Sequence, residues 1–154
     1  MKVAVVAHAA KTLDGGLPEL RRVLETEGCD TPLWHEVPKA KKASVQVRRA
    51  VDEGAELVFA WGGDGTVRRC IDVLAGTDVR LAVVPAGTAN LFATNLGIPT
   101  DIKGAVAVGL RGGSRRLDVG RFEEERFGVM AGAGFDAAMI RDADHLKKLS
   151  LIHI

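Results

Sequence analysis

The sequence predicts a doubly wound, Rossmann-like α/β fold in which helices cover both faces of a parallel sheet. Two observations carry this prediction. Short apolar runs of strand length alternate with runs whose apolar residues recur at helical spacing. Two of the expected strands also end directly in glycine-rich loops, at residues 61–66 (WGGDGT) and 85–90 (PAGTAN). Such alternation is typical of parallel sheets with helices on both sides.

The expected elements follow in chain order. Strands are predicted at residues 2–7, 31–37, 56–61 and 79–84. The first is near-continuously apolar, as expected for a strand that is buried on both faces. Helical spacing predicts helices at 17–25, 66–74 and 90–96. Two further helices are expected, one capped by Ser44 and ended by Gly54, the other capped by Thr100 or Asp101 and ending at Leu110.

The rhythm changes after residues 111–114 (RGGS), which resemble a linker. Residues 116–122 and 126–131 predict two strands joined by a charged turn, hence an antiparallel pair. We therefore expect a nucleotide-binding α/β domain over 1–113 and the beginning of an antiparallel second domain over 114–148, too short to bury a core of its own. Residues 149–154 (LSLIHI) match what a sequencing adapter encodes in one frame, so we expect a non-native tail on a truncated chain.

Composition narrows the class of protein. The chain of 154 residues has a formal net charge of +1, which gives no global attraction to nucleic acid, and only 5% aromatic residues, which disfavours a base-stacking surface. No stretch reaches transmembrane length. Cys29 and Cys70 are far apart and lack metal-site spacing, so we expect two buried free thiols in a reducing compartment.

The first glycine loop contains Gly62, Gly63, Asp64, Gly65 and Thr66. It has no lysine and is not a P-loop, so it would bind phosphate through backbone N–H groups, the Thr66 hydroxyl and a metal ion. Asp64 is the candidate Mg²⁺ ligand, or the base that takes a proton from an attacking hydroxyl. The structural alternative is a sharp turn with Asp64 as a helix N-cap.

The second loop contains Gly87, Thr88 and Asn90. Because ligands of open α/β sheets bind at the carboxyl ends of strands, we expect the two loops to form one phosphate-sized site. Thr88 would contact phosphate. Asn90 would pin the loop or cap its helix, with a ligand contact as the alternative.

The pair GGDGT and PAGTAN-LFA resembles the diacylglycerol kinase catalytic-domain family, which includes bacterial lipid kinases and sphingosine kinases. The resemblance implies an ATP- and Mg²⁺-dependent kinase that transfers the γ-phosphoryl group to a lipid hydroxyl. It implies that the glycine-loop residues and Thr88 contact ATP or its metal, and that Asp64 is essential. Residues 117–120 and 131–137 are similar to the family's entry into a second, β-sandwich domain, and the truncated chain would end before its acidic residues and be inactive alone.

Two points depart from that family or compete with it. The loop after the first strand carries Thr12 as the best hydroxyl candidate, where the family has an Asn-Pro-x-Ser-Gly type sequence. NAD kinases share GGDGT but would have an Asn-Glu pair where this chain has Asn90-Leu91. A nucleotide-binding module without catalysis is the alternative from another class.

A run of basic residues comprises Lys39, Lys41, Lys42, Arg48 and Arg49. It is either a solvated helix face or a membrane-surface patch. The implied partner is a lipid substrate at a membrane surface, with no nucleic acid. We expect a cytoplasmic protein that associates peripherally with the inner membrane surface, and a homodimer is left open.

Overall fold

The structure, a computed structural model, describes residues 1–122 and 125–128. Its centre is a four-stranded parallel sheet with the strand order β2-β1-β3-β4. In chain order the strands are β1 (Val3–His8), β2 (Leu33–Val37), β3 (Leu57–Gly62) and β4 (Arg80–Pro85). The four predicted strands are therefore confirmed, and three of them begin and end one residue later than expected.

Helices cover both faces of this sheet. One face packs against α1 (Gly16–Thr26) and α5 (Ile102–Arg111), and the other packs against α2 (Ala43–Asp52) and α3 (Asp64–Leu74). The short helix α4 (Leu91–Asn95) follows β4. The doubly wound α/β architecture predicted from the alternation is confirmed.

Strand β3 shows why a central strand of this sheet is apolar throughout. All six of its residues are buried. Phe59 and Trp61 belong to the core beneath α1 and α5, whereas Val58 and Ala60 belong to the core beneath α2 and α3. Successive side chains of a strand point to opposite faces, so a strand covered on both faces has no position for a polar residue.

One of the two proposed helix caps is correct. The Asp101 carboxylate accepts a hydrogen bond of 2.7 Å from the Gly104 N–H and caps α5. Ser44 does not cap α2, because a 3-10 turn (Ala40–Lys42) leads directly into the helix and places Lys42 at the N-cap. The Ser44 hydroxyl instead donates a hydrogen bond of 3.4 Å to the Arg69 carbonyl of α3.

An antiparallel hairpin follows α5, as predicted, but its first strand is shorter than expected. It consists of β5 (Gly120–Phe122) and β6 (Glu125–Phe127). The hairpin packs on α3, where Asp72 accepts hydrogen bonds from the Arg126 N–H at 2.9 Å and, through its carbonyl, from the Arg126 guanidinium at 2.8 Å. The rest of the expected second domain and the expected tail lie outside the described residues.

Candidate functional site

The two glycine loops lie side by side at the carboxyl edge of the sheet. They follow β3 and β4, which pair in parallel with Gly62 opposite Pro85. The Ala86 N–H donates a hydrogen bond of 3.0 Å to the Gly62 carbonyl, so the pairing continues into the loops. The expectation that both loops form one site at neighbouring strand ends therefore has the required geometry.

Gly63 and Gly87 are in direct backbone contact. A Cβ atom placed on Gly63 would lie 3.1 Å from the Gly87 Cα, and one placed on Gly87 would clash with the Gly63 Cα and with the Asn90 Oδ1 at 2.6 Å. Glycine is required at Gly87 because any side chain would push the two loops apart.

The Thr66 side chain packs against Gly62. It is 1% exposed, and its Oγ1 would lie 2.5 Å from a Cβ on Gly62. The Thr66 side chain thus fills the space that the missing Gly62 side chain leaves. A contact between its hydroxyl and phosphate stays a prediction.

Asn90 holds the second loop in shape. Its side-chain Oδ1 accepts a hydrogen bond of 2.9 Å from the Gly87 N–H, and its Nδ2 donates to the carbonyls of Pro85 and Gly87 at 3.2 and 2.9 Å. Its backbone is left-handed, with φ of 48°, a conformation in which asparagine is enriched. All three bonds go to loop backbone, which is the pinning role expected first for this residue.

Asp64 joins the first loop to α4. Its two carboxylate oxygens accept hydrogen bonds of 3.0 Å each from the backbone N–H groups of Leu91 and Phe92. These are the first two residues of α4, whose N–H groups have no partner inside the helix. Asp64 therefore does serve as a helix cap, as the structural alternative expected. The helix that it caps is α4, which follows β4, and not α3, in which Asp64 itself lies.

The two glycine loops present open N–H groups and an exposed threonine. The Thr66 and Val67 N–H groups bond to the Gly63 carbonyl, so Asp64 and Gly65 are the first-turn residues whose N–H groups lack a partner within α3. Thr88 is exposed in the second loop. A helix start with open N–H groups and a nearby hydroxyl suits a phosphate group.

The loop after β1 lies beside the site through Trp61. The buried indole of Trp61 donates a hydrogen bond of 3.0 Å to the Lys11 carbonyl. Thr12, the next residue, is exposed. The structure therefore places Thr12 at the same edge of the sheet as the glycine loops, and its contact with a ligand stays a prediction.

A small apolar cavity that the sequence did not predict lies beside Asp64. Its volume is about 130 Å³. Asp64 and Arg68 provide its polar lining, and α3, α4 and β6 provide the apolar walls with Val67, Ile71, Leu91, Phe92 and Phe127. The helical spacing of Val67 and Ile71 identifies a buried face of α3, but nothing in the sequence indicates that Phe127 comes to lie against it.

Metal-ligating groups are sparse in the part of the chain that the structure describes, where no three His, Cys, Asp or Glu residues are grouped to hold an ion. Asp64 is the carboxylate in the site. Mg²⁺ in kinases is commonly held by one or two carboxylates together with substrate phosphates, so Asp64 fits a metal that arrives with a nucleotide. The two cysteines are free thiols, with Cys70 buried as expected and Cys29 only half-buried.

No helix within residues 1–122 and 125–128 is long and apolar enough to cross a membrane.

Comparison with known proteins places this architecture in a family. The diacylglycerol kinase catalytic domain family matches residues 5–122. A diacylglycerol kinase from Mycobacterium tuberculosis is 36% identical over 104 residues, which cover 64% of this chain and 34% of that protein. One from Staphylococcus carnosus is 34% identical over 120 residues, which cover 77% of this chain and 39% of that protein.

Solved structures agree. A diacylglycerol kinase from Bacillus anthracis has a TM-score of 0.67 and 25% sequence identity, over 82% of this chain and 45% of that one. The chain thus spans less than half the length of the relatives that it matches. The family match covers both glycine loops, strands β2, β3 and β4, and β1 from residue 5 onward. From this match and the shared fold, we conclude that the chain belongs to the diacylglycerol kinase catalytic domain family.

Proposed function

We propose that this chain is the ATP-binding part of a lipid kinase that transfers the γ-phosphoryl group of ATP to a hydroxyl of diacylglycerol or a related lipid. The observation that carries the proposal is the contact between the two glycine loops at Gly63 and Gly87, with Asp64 beside it. The family and its named relatives support a kinase. The acceptor and the transfer itself are the proposed part.

The phosphates of ATP would lie on the N–H groups at the start of α3, with Gly62, Gly63, Gly65 and Gly87 keeping side chains out of their way. Thr12, Thr66 and Thr88 are the candidate hydroxyl contacts. Asn90 would act by holding the second loop, since its amide bonds to that loop's backbone.

In the transfer, a bond forms between the lipid hydroxyl oxygen and the γ-phosphorus, and the bond from that phosphorus to the β–γ bridging oxygen breaks. ADP leaves, and Asp64 takes the proton of the hydroxyl. In the alternative role, Asp64 is not the base but the protein ligand of Mg²⁺, which would neutralise phosphate charge when bound with ATP. In either role its two carboxylate oxygens also accept the hydrogen bonds from the first two residues of α4.

We place the protein in the cytoplasm, at the inner surface of the membrane, because a diacylglycerol-type acceptor lies in the bilayer. Phosphorylation of such a lipid would feed phospholipid biosynthesis.

The test has two arms. Calorimetry measures binding of ATP and of NAD to the chain. Thin-layer chromatography follows labelled phosphate from γ-labelled ATP into diacylglycerol in mixed micelles, or into NAD, and uses a longer protein that contains this domain, because the chain alone is expected to be inactive. Phosphatidic acid formation supports the proposal. ATP binding without any labelled lipid indicates a binding module, and labelled NADP indicates an NAD kinase.

A further inference from the structure

Three lysines lie beside the first glycine loop. The 3-10 turn Ala40–Lys42 leaves the carboxyl end of β2 and packs on α3. The contact is at the first turn of α3, where the Ala40 Cβ lies 3.7 Å from the position of a Cβ on Gly65. Lys39, Lys41 and Lys42 are exposed and flank Ala40 in the chain, so three lysines lie in the segment whose turn contacts α3 at the loop.

The segment that contains these lysines carries a local excess of positive charge. Residues 38–51 contain five lysines and arginines and no acidic residue, although the whole chain has a net charge of only +1. A local excess of one sign creates a potential that attracts a counter-charged ligand. The three lysines lie at the start of this segment, which follows β2 at the carboxyl edge of the sheet. The glycine loops lie at the same edge.

The first glycine loop lacks a cation of its own. P-loops carry a lysine that reaches the phosphates, whereas this loop carries Asp64, whose charge repels them. The N–H groups of α3 offer only partial positive charge. Mg²⁺ bound with a nucleotide, together with Arg68 of α3, would offset part of the polyphosphate charge. The lysine stem is long and flexible enough to bring a further ammonium group to the polyphosphate from another segment.

We propose that Lys39, Lys41 and Lys42 supply the cationic contacts for the polyphosphate of a nucleotide bound at the first glycine loop. These lysines lie in the connection between β2 and α2 and contact the phosphates from there, as the lysine within the loop does in a P-loop. The inference rests on the proposed ATP site, which it deepens by naming the residues that select a triphosphate over a nucleoside.

The test compares two variants of the chain. One replaces all three lysines by glutamine (Lys39→Gln, Lys41→Gln and Lys42→Gln). The control, Arg48→Gln, removes an exposed cation of the same basic run that lies in α2, further along the chain from the loop. Circular dichroism checks that both are folded, and calorimetry measures the affinity for ATP, ADP and adenosine.

We expect the triple variant to bind ATP at least ~10-fold more weakly than the unchanged chain. The loss of each ion pair in water should weaken binding by about a few-fold, and the variant loses three. The loss should be smaller for ADP and absent for adenosine, which has no phosphate. ATP affinity should also depend less on salt in the triple variant, since fewer charge contacts remain to be screened. The Arg48→Gln control should match the unchanged chain.

Each contrary outcome is distinct. If the unchanged chain binds ATP and the triple variant binds it equally well, the inference is overturned and the proposed function stands. If the unchanged chain does not bind ATP, both fail. Equal losses for ATP and adenosine would indicate damage to the site and overturn the inference. A variant that keeps its ATP affinity but no longer binds phosphatidylglycerol vesicles would show that the lysines contact a membrane instead.

Discussion

The Asp64 carboxylate and the Phe92 backbone N–H, 28 positions apart in the chain, are joined by a hydrogen bond of 3.0 Å. With the parallel bond to Leu91, it connects the loop after β3 to the helix after β4. The residue that we propose as metal ligand or base is thus also the one that caps α4, the helix that follows the second loop. Its substitution should change two properties, which can be measured separately.

Asp64→Asn should lower lipid phosphorylation by roughly 10²-fold or more in an active protein that contains this domain, the lower range for loss of an acid–base group. It should also lower the protection of the Leu91 and Phe92 amides from hydrogen exchange, because one acceptor oxygen becomes an NH₂ donor. The matched control is Asp101→Asn, which weakens the cap of α5 but leaves the glycine loops intact. Near-normal turnover with Asp64→Asn would reduce Asp64 to a structural residue.

Gly63→Val should abolish ATP binding in a chain that remains folded. The Cβ would already lie 3.1 Å from the Gly87 Cα, so the valine methyl groups separate the two loops. Calorimetry measures the affinity and circular dichroism the fold. Gly113→Val is the control, because a Cβ there meets nothing within 4 Å. Unchanged ATP affinity in folded Gly63→Val would contradict the phosphate-loop interpretation.

Gly109→Ala should destabilise the fold, although alanine favours helices. A Cβ on this α5 residue would lie 2.5 Å from the buried Phe59 ring and 2.8 Å from the Ala82 Cβ. Overpacking of this kind costs about 1–3 kcal/mol, against a gain of roughly 1 kcal/mol in helix propensity. Urea unfolding measures the difference. Gly113→Ala should be close to neutral, and a stabilised Gly109→Ala would show that α5 can move away from the sheet.

Cys70 should make the fold less stable in alkali. Burial raises the pKa of its thiol to about 12, from an ordinary value of 9.0. The unfolded chain loses this proton first, so the contribution is fully present below about pH 9 and is lost as the pH rises toward 12, by about 1.4 kcal/mol per unit at most. The measurement is urea unfolding between pH 7 and pH 10, in the range that the fold survives. Cys70→Ala should show a shallower decline with pH, and an identical decline would refute the assignment.

Asp72→Ala should loosen the β5–β6 hairpin on α3, because the Asp72 carboxylate that accepts the Arg126 N–H bond is lost. The bond from the Arg126 guanidinium to the Asp72 backbone carbonyl would remain. Limited trypsin digestion should cut the unchanged chain after the exposed residues Arg111, Arg115 or Arg116, and the variant also after Arg121 and Arg126. A stable core that ends near residue 113 in both chains would support the domain boundary expected there. Equal protection of Arg126 in the variant would show that other contacts hold the hairpin.

Features that depend on a local sequence pattern could be predicted, whereas features that depend on contacts between distant segments could not. Strands β3 and β4 and the positions of the two loops could be predicted, because apolar runs lead directly into glycine-containing stretches there. The failed cap at Ser44 depends on a 3-10 turn in a lysine-rich stretch without a periodic signal. The bond from Asp64 to α4 depends on two loops that meet only after β3 and β4 pair, and no spacing in the sequence encodes it. The shorter first strand of the hairpin has the same origin, since its length depends on what the chain packs against.

The indole of Trp61 has a practical consequence. It is fully buried beneath the site and tied to the Lys11 carbonyl, whereas the chain's other tryptophan, Trp34, lies on the edge strand β2 with the Arg21 guanidinium 4.0 Å from its ring. In a Trp34→Phe chain, the remaining intrinsic fluorescence would come from a single emitter next to the β1–α1 loop. Ligand arrival at the carboxyl edge would then be observable in real time without any attached dye, and stopped-flow measurement would separate association from a later rearrangement of the loops.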